Sequence, residues 1–398
     1  MPFVPFELEA WQSAYEQDVE FNLADSGVHP VRVGELVSEP AAVRDLLDTA
    51  LHYPHVNGTP LLRSLIAGLY ERAHLGNVLV TVGASEAMAV SLQTLLSPGD
   101  RVVVLEPGYR QAWGIAQNLG CEVRSFTLRR DRGWRPDLEA LDAALRPEAS
   151  GSAGPWSPSG GTRPVRVIAV TNPNNPTGAI LTEGEMELVA AAAARAGAWL
   201  LADEVYRGTE RLSDAETPSF WGRYERTIVV GSLSKAYGLP GLRTGWLVGP
   251  APMVERVWRR HEYATISTGM LSNTLAEVAL AEPARSRLID RTRSYIRAGY
   301  ELIERWVAAN PDLVSIIPPQ ATALAFVRYG VDLPSVDVAD AMRTQASVLV
   351  APGSCFGVEG HLRIALGLEP AFVNEALERI ARVLRELRDD GVGPVAAG

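Results

Sequence analysis

Apolar positions in this chain fall into two alternating rhythms. Short, mainly apolar runs at Val78–Val82, Arg101–Leu105, Val165–Thr171, Ala198–Ala202 and Thr227–Val230 predict buried strands. Between them lie helical spacings, running to Leu96 after the first strand and over Glu185–Ala196 before the fourth. Strands alternating with helices of this length imply right-handed βαβ units and a mostly parallel sheet. Two earlier helices are predicted at Ala41–Leu51 and around Leu61–Arg72. After Trp246 the pattern turns amphipathic, with long helical stretches from Ala276 to about Trp306 that bridge two domains. Short strands follow at Ala323–Val327, Val348–Val350 and His361–Ala365. A closing helix carries Val373, Leu377, Ile380, Leu384 and Leu387 as one apolar stripe.

The expected organisation is an α/β protein with three parts. Residues 1–30 form an arm, whose Phe3, Phe6, Leu8, Trp11 and Tyr15 lay an apolar face on a neighbour. Residues 51–285 form the large domain, and residues 31–50 with 286–398 form a smaller α+β domain. Residues 147–163, PEASGSAGPWSPSGGTR, are dense in Gly, Ser and Pro and read as a surface loop that lengthens one crossover. No internal repeat is visible.

Composition narrows the partners more than the fold. With 398 residues and 47% apolar content, the chain can bury one large core and a second smaller one. A net charge of −10 argues against a nucleic-acid surface. Cys121 and Cys355 stand far apart without CxxC spacing, which points to a reducing compartment and no zinc site or disulfide framework. The first residues show no signal-peptide pattern, and no run reaches the ~18 apolar residues of a membrane span. A soluble, cytoplasmic protein is the expectation.

The polar residues that carry chemistry gather just after the strands, where ligands collect in open α/β sheets. The Thr227–Val230 run breaks at Gly231 into Ser232-Leu233-Ser234-Lys235, then a Gly/Pro-rich loop and Arg243. A lysine just past a core strand is placed to form an imine with a carbonyl, if a buried cationic setting keeps its amine neutral. The rigid fork of Arg243 suits a phosphate. Taken alone, this segment also fits a strand-to-loop turn with an incidental lysine.

The set Gly83-Ala84-Ser85, Tyr109, Asn175-Pro176-Thr177-Gly178, Asp203 with Tyr206, Ser232-Leu233-Ser234-Lys235, Arg243 and Arg363 resembles the class I/II aminotransferase family. These are pyridoxal phosphate (PLP) enzymes of fold type I, with a mostly parallel seven-stranded sheet and a smaller α+β domain. The resemblance covers nearly the whole chain in the family's order. It implies that Lys235 attaches the cofactor covalently and shuttles the substrate α-proton. It implies that Asp203 keeps the pyridine nitrogen protonated, and that Asn175 and Tyr206 bond the phenolic oxygen. Tyr109 stacks on the ring, while the Ala84 and Ser85 amides, Ser232 and Arg243 cup the phosphate. Arg363 grips the substrate α-carboxylate. Tyr53 matches a tyrosine that reaches the phosphate of a partner subunit, which implies a homodimer with shared sites.

Within that family the arm is distinctive. Ser26-Gly27-Val28-His29 and Gly34-Glu35-Leu36, with SLSKAYGLPGLRTGW, resemble PLP enzymes of the capreomycidine synthase type. Such enzymes cyclise a β-hydroxylated arginine in peptide-antibiotic assembly by expelling water and adding the guanidine nitrogen back. The resemblance implies a cationic, arginine-derived substrate, with Gly27 and His29 of the arm joining Arg363 and Asn175 around it. His29 would protonate the leaving hydroxyl or, alternatively, pack at a subunit contact. Asp25, Glu35 and Glu262 are the candidate carboxylates for a guanidinium. The NPNNPTG and DEVY stretches have ordinary transaminase form, so transfer of the amino group to a 2-keto acid stays open. A DNA-binding regulator built on this fold is not expected, because the match begins near residue 20 and the charge is acidic.

Overall fold

The computed structural model describes residues 3–146 and 164–391, so the Gly/Ser/Pro-rich stretch at 147–163 lies outside the described residues. Its frame is an eight-stranded sheet. In spatial order the strands are Val78–Val82, Thr244–Val248, Thr227–Ser232, Trp199–Asp203, Val165–Thr171, Arg101–Glu106, Glu122–Arg129 and Arg135–Pro136. The run from Thr227–Ser232 to Glu122–Arg129 is parallel throughout. Thr244–Val248 runs antiparallel to both its neighbours, and the two-residue Arg135–Pro136 closes the other edge antiparallel. The protein has fold type I: a large, mostly parallel α/β sheet with one antiparallel strand inserted.

The five strands read from apolar runs are all present, two with the expected bounds and three extended by a residue or two at their carboxyl ends. Glu122–Arg129 was not anticipated, and its composition explains why: it alternates charged and apolar residues near a sheet edge, with only Phe126 and Leu128 buried. Helix Glu183–Ala196 follows its sequence signals closely. Thr182 and Glu185 form a reciprocal capping box, and Gly197 ends the helix in the left-handed region. The two early helices are shorter than expected, at Pro40–Leu47 and Pro60–Ala67. The long pattern after Ala276 resolves into Met270–Leu280 and Ala284–Ala309, broken at Pro283, which cannot donate to the preceding turn.

A second, antiparallel sheet is built from Val314–Ile316, Leu324–Tyr329, His361–Ala365 and Ala351–Pro352. Its core takes one face of Ala284–Ala309 and the stripe Val373, Leu377, Ile380 and Leu384 of the closing helix Pro370–Gly391. The arm joins this chain's own cores. Helix Glu7–Tyr15 buries Leu8 in the large core, and the Trp11 indole donates to the Val350 carbonyl at 3.0 Å. Phe21–Asn22 pairs parallel with Val348–Leu349, and Leu23 and Val28 enter the small core.

Gly299 shows how closely the pieces meet. A methyl group there would strike the Leu366 carbonyl oxygen, because helix Ala284–Ala309 passes directly over that strand exit. Gly299→Ala is expected to lower stability by about 1–3 kcal/mol, read as a lower thermal midpoint. An unchanged midpoint would show that the helix can move away at no cost.

Candidate active site

At the carboxyl ends of the parallel strands opens a cavity of about 340 Å³. Strand Thr227–Ser232 is buried along its whole length and delivers the chain into it. The Ser232 hydroxyl accepts from the Ser234 amide at 2.9 Å, which turns the backbone sharply and presents Lys235 to the cavity. Lys235 Nζ donates to Ser26 Oγ of the arm at 2.7 Å. Lys235 is also the only lysine among the 398 residues, all other basic side chains apart from histidine being arginine. That signal stood in the sequence, and the place of Lys235 in the cavity lining argues against an incidental surface lysine.

Next to this strand, Trp199–Asp203 ends with Asp203 in the same cavity. Burial pushes its carboxyl up to about 6, against the pull of the Val205 amide at 3.2 Å and of the Lys235 charge. Asn175 Nδ2 donates to the Tyr206 hydroxyl at 3.2 Å, and Asn175 Oδ1 accepts from Arg363 Nη1 at 3.1 Å. Arg363 comes from strand His361–Ala365 of the second sheet and is almost fully buried. Its other terminal nitrogen bonds the Ala24 carbonyl, while Nε has no partner among the described residues. Burial pulls the pKa of this guanidinium down. Tyr109 donates to Glu9 Oε1 at 2.6 Å and holds its ring 4.9 Å from that of Phe6.

One end of the cavity is cationic and rich in donors. Helix Gly83–Leu95 starts with Ala84 and Ser85 lining the cavity, its free amides and dipole directed there. Gly83 has φ of +75°, and a β-carbon there would collide with the Arg243 guanidinium. A β-carbon at Gly245 would collide with the Ala84 nitrogen. Arg243 is itself held by the Pro240 carbonyl at 3.0 Å and by Ser234 Oγ at 3.4 Å. Two glycines thus let backbone and guanidinium close on a space fit for a phosphate.

The structure therefore brings together Ala84, Ser85, Tyr109, Asn175, Asp203, Tyr206, Ser232, Lys235, Arg243 and Arg363, with Asp25 of the three candidate carboxylates. It does not bring in His29. That ring stacks on Tyr295 at a centroid distance of 5.7 Å and faces Glu369 at 3.7 Å, outside the cavity lining. The expected acid at the leaving hydroxyl is thus misplaced in this chain, because Pro30 and the hydrogen bond from the His29 amide to the Gly367 carbonyl carry the backbone onto the small domain. Glu35 caps its own short helix, and Glu262 is exposed, so neither carboxylate reaches the cavity. Gly27 sits behind the wall, its amide donating to Asp25 at 3.1 Å. Tyr53 is 82% exposed and outside this chain's own cavity.

Lining residues that were missed include Glu9, Gln12, Ser13 and Glu16 of the arm. Their signal was a second period in ELEAWQSAYE. While Leu8, Trp11 and Tyr15 mark the packed face, positions 9, 12, 13 and 16 fall on another face of the same helix. Ser26 and Gln111 were missed as well, the latter donating to the Ser85 carbonyl at 3.0 Å.

Comparison with known proteins agrees with this site. The family model for aminotransferase class I and II matches residues 37–380. Capreomycidine synthase of Streptomyces vinaceus is 30% identical over 391 residues, covering 96% of this chain and 94% of that one. An arginine–pyruvate transaminase of Pseudomonas aeruginosa is 29% identical over 357 residues, covering 87% and 86%. A solved PLP-dependent cyclase, OrfR, superposes with a TM-score of 0.82 at 27% identity, covering 97% and 98%. The chain belongs to the class I and II aminotransferase family. It is a PLP-dependent enzyme, and the cavity fits that cofactor: one amine, one buried carboxylate and one cationic cup stand around a volume suited to it. Among the described residues no helix is long and apolar enough to cross a membrane.

Asp203 gives a pH prediction. Its pKa is raised from 3.8 to about 6, so the folded protein binds this proton more tightly than the unfolded chain. The carboxyl therefore favours folding below 3.8, and that contribution is lost as pH rises through about 6. In cofactor-free protein, Asp203→Asn should raise stability near neutral pH by up to about 3 kcal/mol, with the gain vanishing in acid. Thermal melts across pH check this. Equal midpoints at neutral pH would mean that the carboxylate is already satisfied without a cationic partner.

Proposed function

We propose that this enzyme works at the α-carbon of a cationic, arginine-derived amino acid. It eliminates water from a hydroxyarginine and closes a ring through the guanidine. One observation carries this reading: the arm places Glu9, Glu16 and Asp25 in the cavity that holds Lys235 and Arg363. A guanidinium side chain pairs with such carboxylates, whereas a neutral substrate makes no use of their charge. The names of two relatives, capreomycidine synthase and arginine–pyruvate transaminase, support the same substrate class.

The assigned roles follow from the positions. Bound PLP supplies an electron sink for the α-carbon. Asp203, as a buried carboxylate, holds the proton on the ring nitrogen, and the Ala84 and Ser85 amides with Ser232 and Arg243 hold the phosphate. Asn175 and Tyr206 reach the phenolic oxygen, and Tyr109 covers the ring. The free Nε and one terminal nitrogen of Arg363 form a fork for the α-carboxylate. Lys235 Nζ takes the α-proton and, with His29 outside the cavity, is the group at hand to pass a proton to the departing hydroxyl. A guanidine nitrogen then bonds to the β-carbon and its proton returns to the α-carbon, so the product is substrate less one water. Gly27 stands beside the Ser234 carbonyl, where the arm closes on the site.

We further propose a homodimer in antibiotic biosynthesis. Leu47, Leu51 and Tyr53 are each about four-fifths exposed on one segment, a surface that a second copy would cover. Tyr53 of the partner subunit would then complete the phosphate cup. Transamination is the second reading, favoured by the intact Asn175–Tyr206–Arg363 hydrogen-bonded set and by the transaminase relative.

Mass spectrometry of products from hydroxylated arginines without a keto acid separates the two. Many turnovers to a species lighter by one water support cyclisation. Conversion that stops at one equivalent until a keto acid is added overturns it in favour of transamination. Independently, Glu9→Gln and Glu16→Gln should each raise KM for the cationic substrate roughly tenfold or more. An unchanged KM in both would remove the carboxylates from substrate binding.

A further inference from the structure

Behind the cationic cup lies a buried histidine that the chemistry above does not use. His261, in the last turn of helix Ala251–Ala264, is completely buried. Its Nδ1 lies 2.9 Å from Glu86 Oε1, and its Nε2 lies 3.0 Å from the Val56 carbonyl oxygen. A carbonyl oxygen can only accept, so Nε2 carries a proton. Glu86 also only accepts: Oε2 takes the Val82 amide at 2.6 Å and Oε1 takes the Thr265 hydroxyl at 2.7 Å. Its side chain is 8% exposed. A carboxylate satisfied in this way is ionised, so Nδ1 carries a proton too. Both ring nitrogens are donors, and the ring is an imidazolium.

The position of the pair has consequences. Glu86 stands in the first turn of Gly83–Leu95, the helix whose Ala84 and Ser85 amides line the phosphate end of the cavity. An uncompensated carboxylate there would repel a dianionic phosphate across a poorly solvated gap. Through Nε2 the same ring also fastens the turn that follows Tyr53, which the Asn57 carbonyl ties to Val80 at 3.2 Å. Around the ring stand Glu86 from helix Gly83–Leu95, Glu262 and Thr265 from its own helix end, and the Val56 carbonyl from the turn. Both carboxylates favour its charged form, as does the C-terminal end of its helix.

We propose that His261 is a standing imidazolium and a positioning residue for the cofactor, which neutralises Glu86 at the phosphate helix and anchors the Tyr53 turn. It touches neither substrate nor cofactor. The inference rests on placing the cofactor phosphate at the Ala84–Ser85 amides.

The first test is NMR of holoenzyme labelled with ¹⁵N in the histidine rings, with the His261 signals assigned by their loss in His261→Phe. At about pH 8, where an ordinary histidine is neutral, both His261 nitrogens should remain protonated. A single protonated nitrogen would overturn the proposal. The second test is the PLP dissociation constant of the holoenzyme by equilibrium dialysis. His261→Phe should weaken PLP binding about tenfold or more, and His261→Phe with Glu86→Gln should restore it to within about threefold of wild type. Unchanged affinity in the single variant, or no recovery in the double one, would each contradict the electrostatic role. Should the single variant fail to fold, the double variant and the wild-type NMR still decide. Arg243→Met is the control for the phosphate placement itself: wild-type affinity there would overturn that placement while leaving the protonation state of His261, read by NMR, unaffected.

Discussion

Four charged side chains gathered at one edge of one sheet are the constraint on which this structure depends. Lys235, Asp203, Arg363 and Asp25 all line a single cavity, and the charges of Arg363 and Asp203 would be costly there without partners. The arm supplies much of what they need in three consecutive residues. The Ala24 carbonyl meets Arg363, the Asp25 carboxylate lies within the field of both cations, and the Ser26 hydroxyl meets Lys235. Those two cations, outweighing the burial that pushes the other way, hold the Asp25 carboxyl below its usual range together with the Ser26 and Gly27 amides. The N-terminal segment is therefore a wall of the site, welded to both cores by Leu8, Leu23 and Val28, and no loose appendage.

That wall also gives the family site its particular character. The lysine, aspartate, asparagine–tyrosine pair and arginines would serve any amino acid bound through its α-carboxylate. Glu9 and Glu16 add carboxylates beyond those shared atoms, which in the proposed reading meet a positively charged side chain. Selection among PLP reactions depends on which substrate bonds the residues orient and where a proton is available. An acidic wall that fixes a guanidinium close to the β-carbon would favour ring closure.

Most of the fold and the cofactor pocket was legible because both obey local rules. Buried parallel strands read as unbroken apolar runs, and the polar turns after Val82, Thr171, Asp203 and Ser232 fall at the ends where such sheets bind ligands. The less legible parts are those decided by long-range packing. Strand Glu122–Arg129 carries the composition of a surface segment, and helix Glu7–Tyr15 hides a second functional face behind its apolar one. His29 looked catalytic from its neighbours in sequence, yet the Gly367 carbonyl and Tyr295, which hold it elsewhere, lie hundreds of residues downstream. The His261–Glu86 pair joins residues 175 positions apart and has no sequence signature.

The most direct test of the account is chemical trapping at the residue it is built around. Holoenzyme reduced with borohydride, digested and analysed by mass spectrometry should carry the phosphopyridoxyl group on the peptide containing Lys235, at one per chain. Because this is the chain's only lysine, the assignment admits no neighbouring candidate. An unmodified Lys235 peptide from fully loaded enzyme, or an adduct on any other peptide, would contradict the site described for this protein.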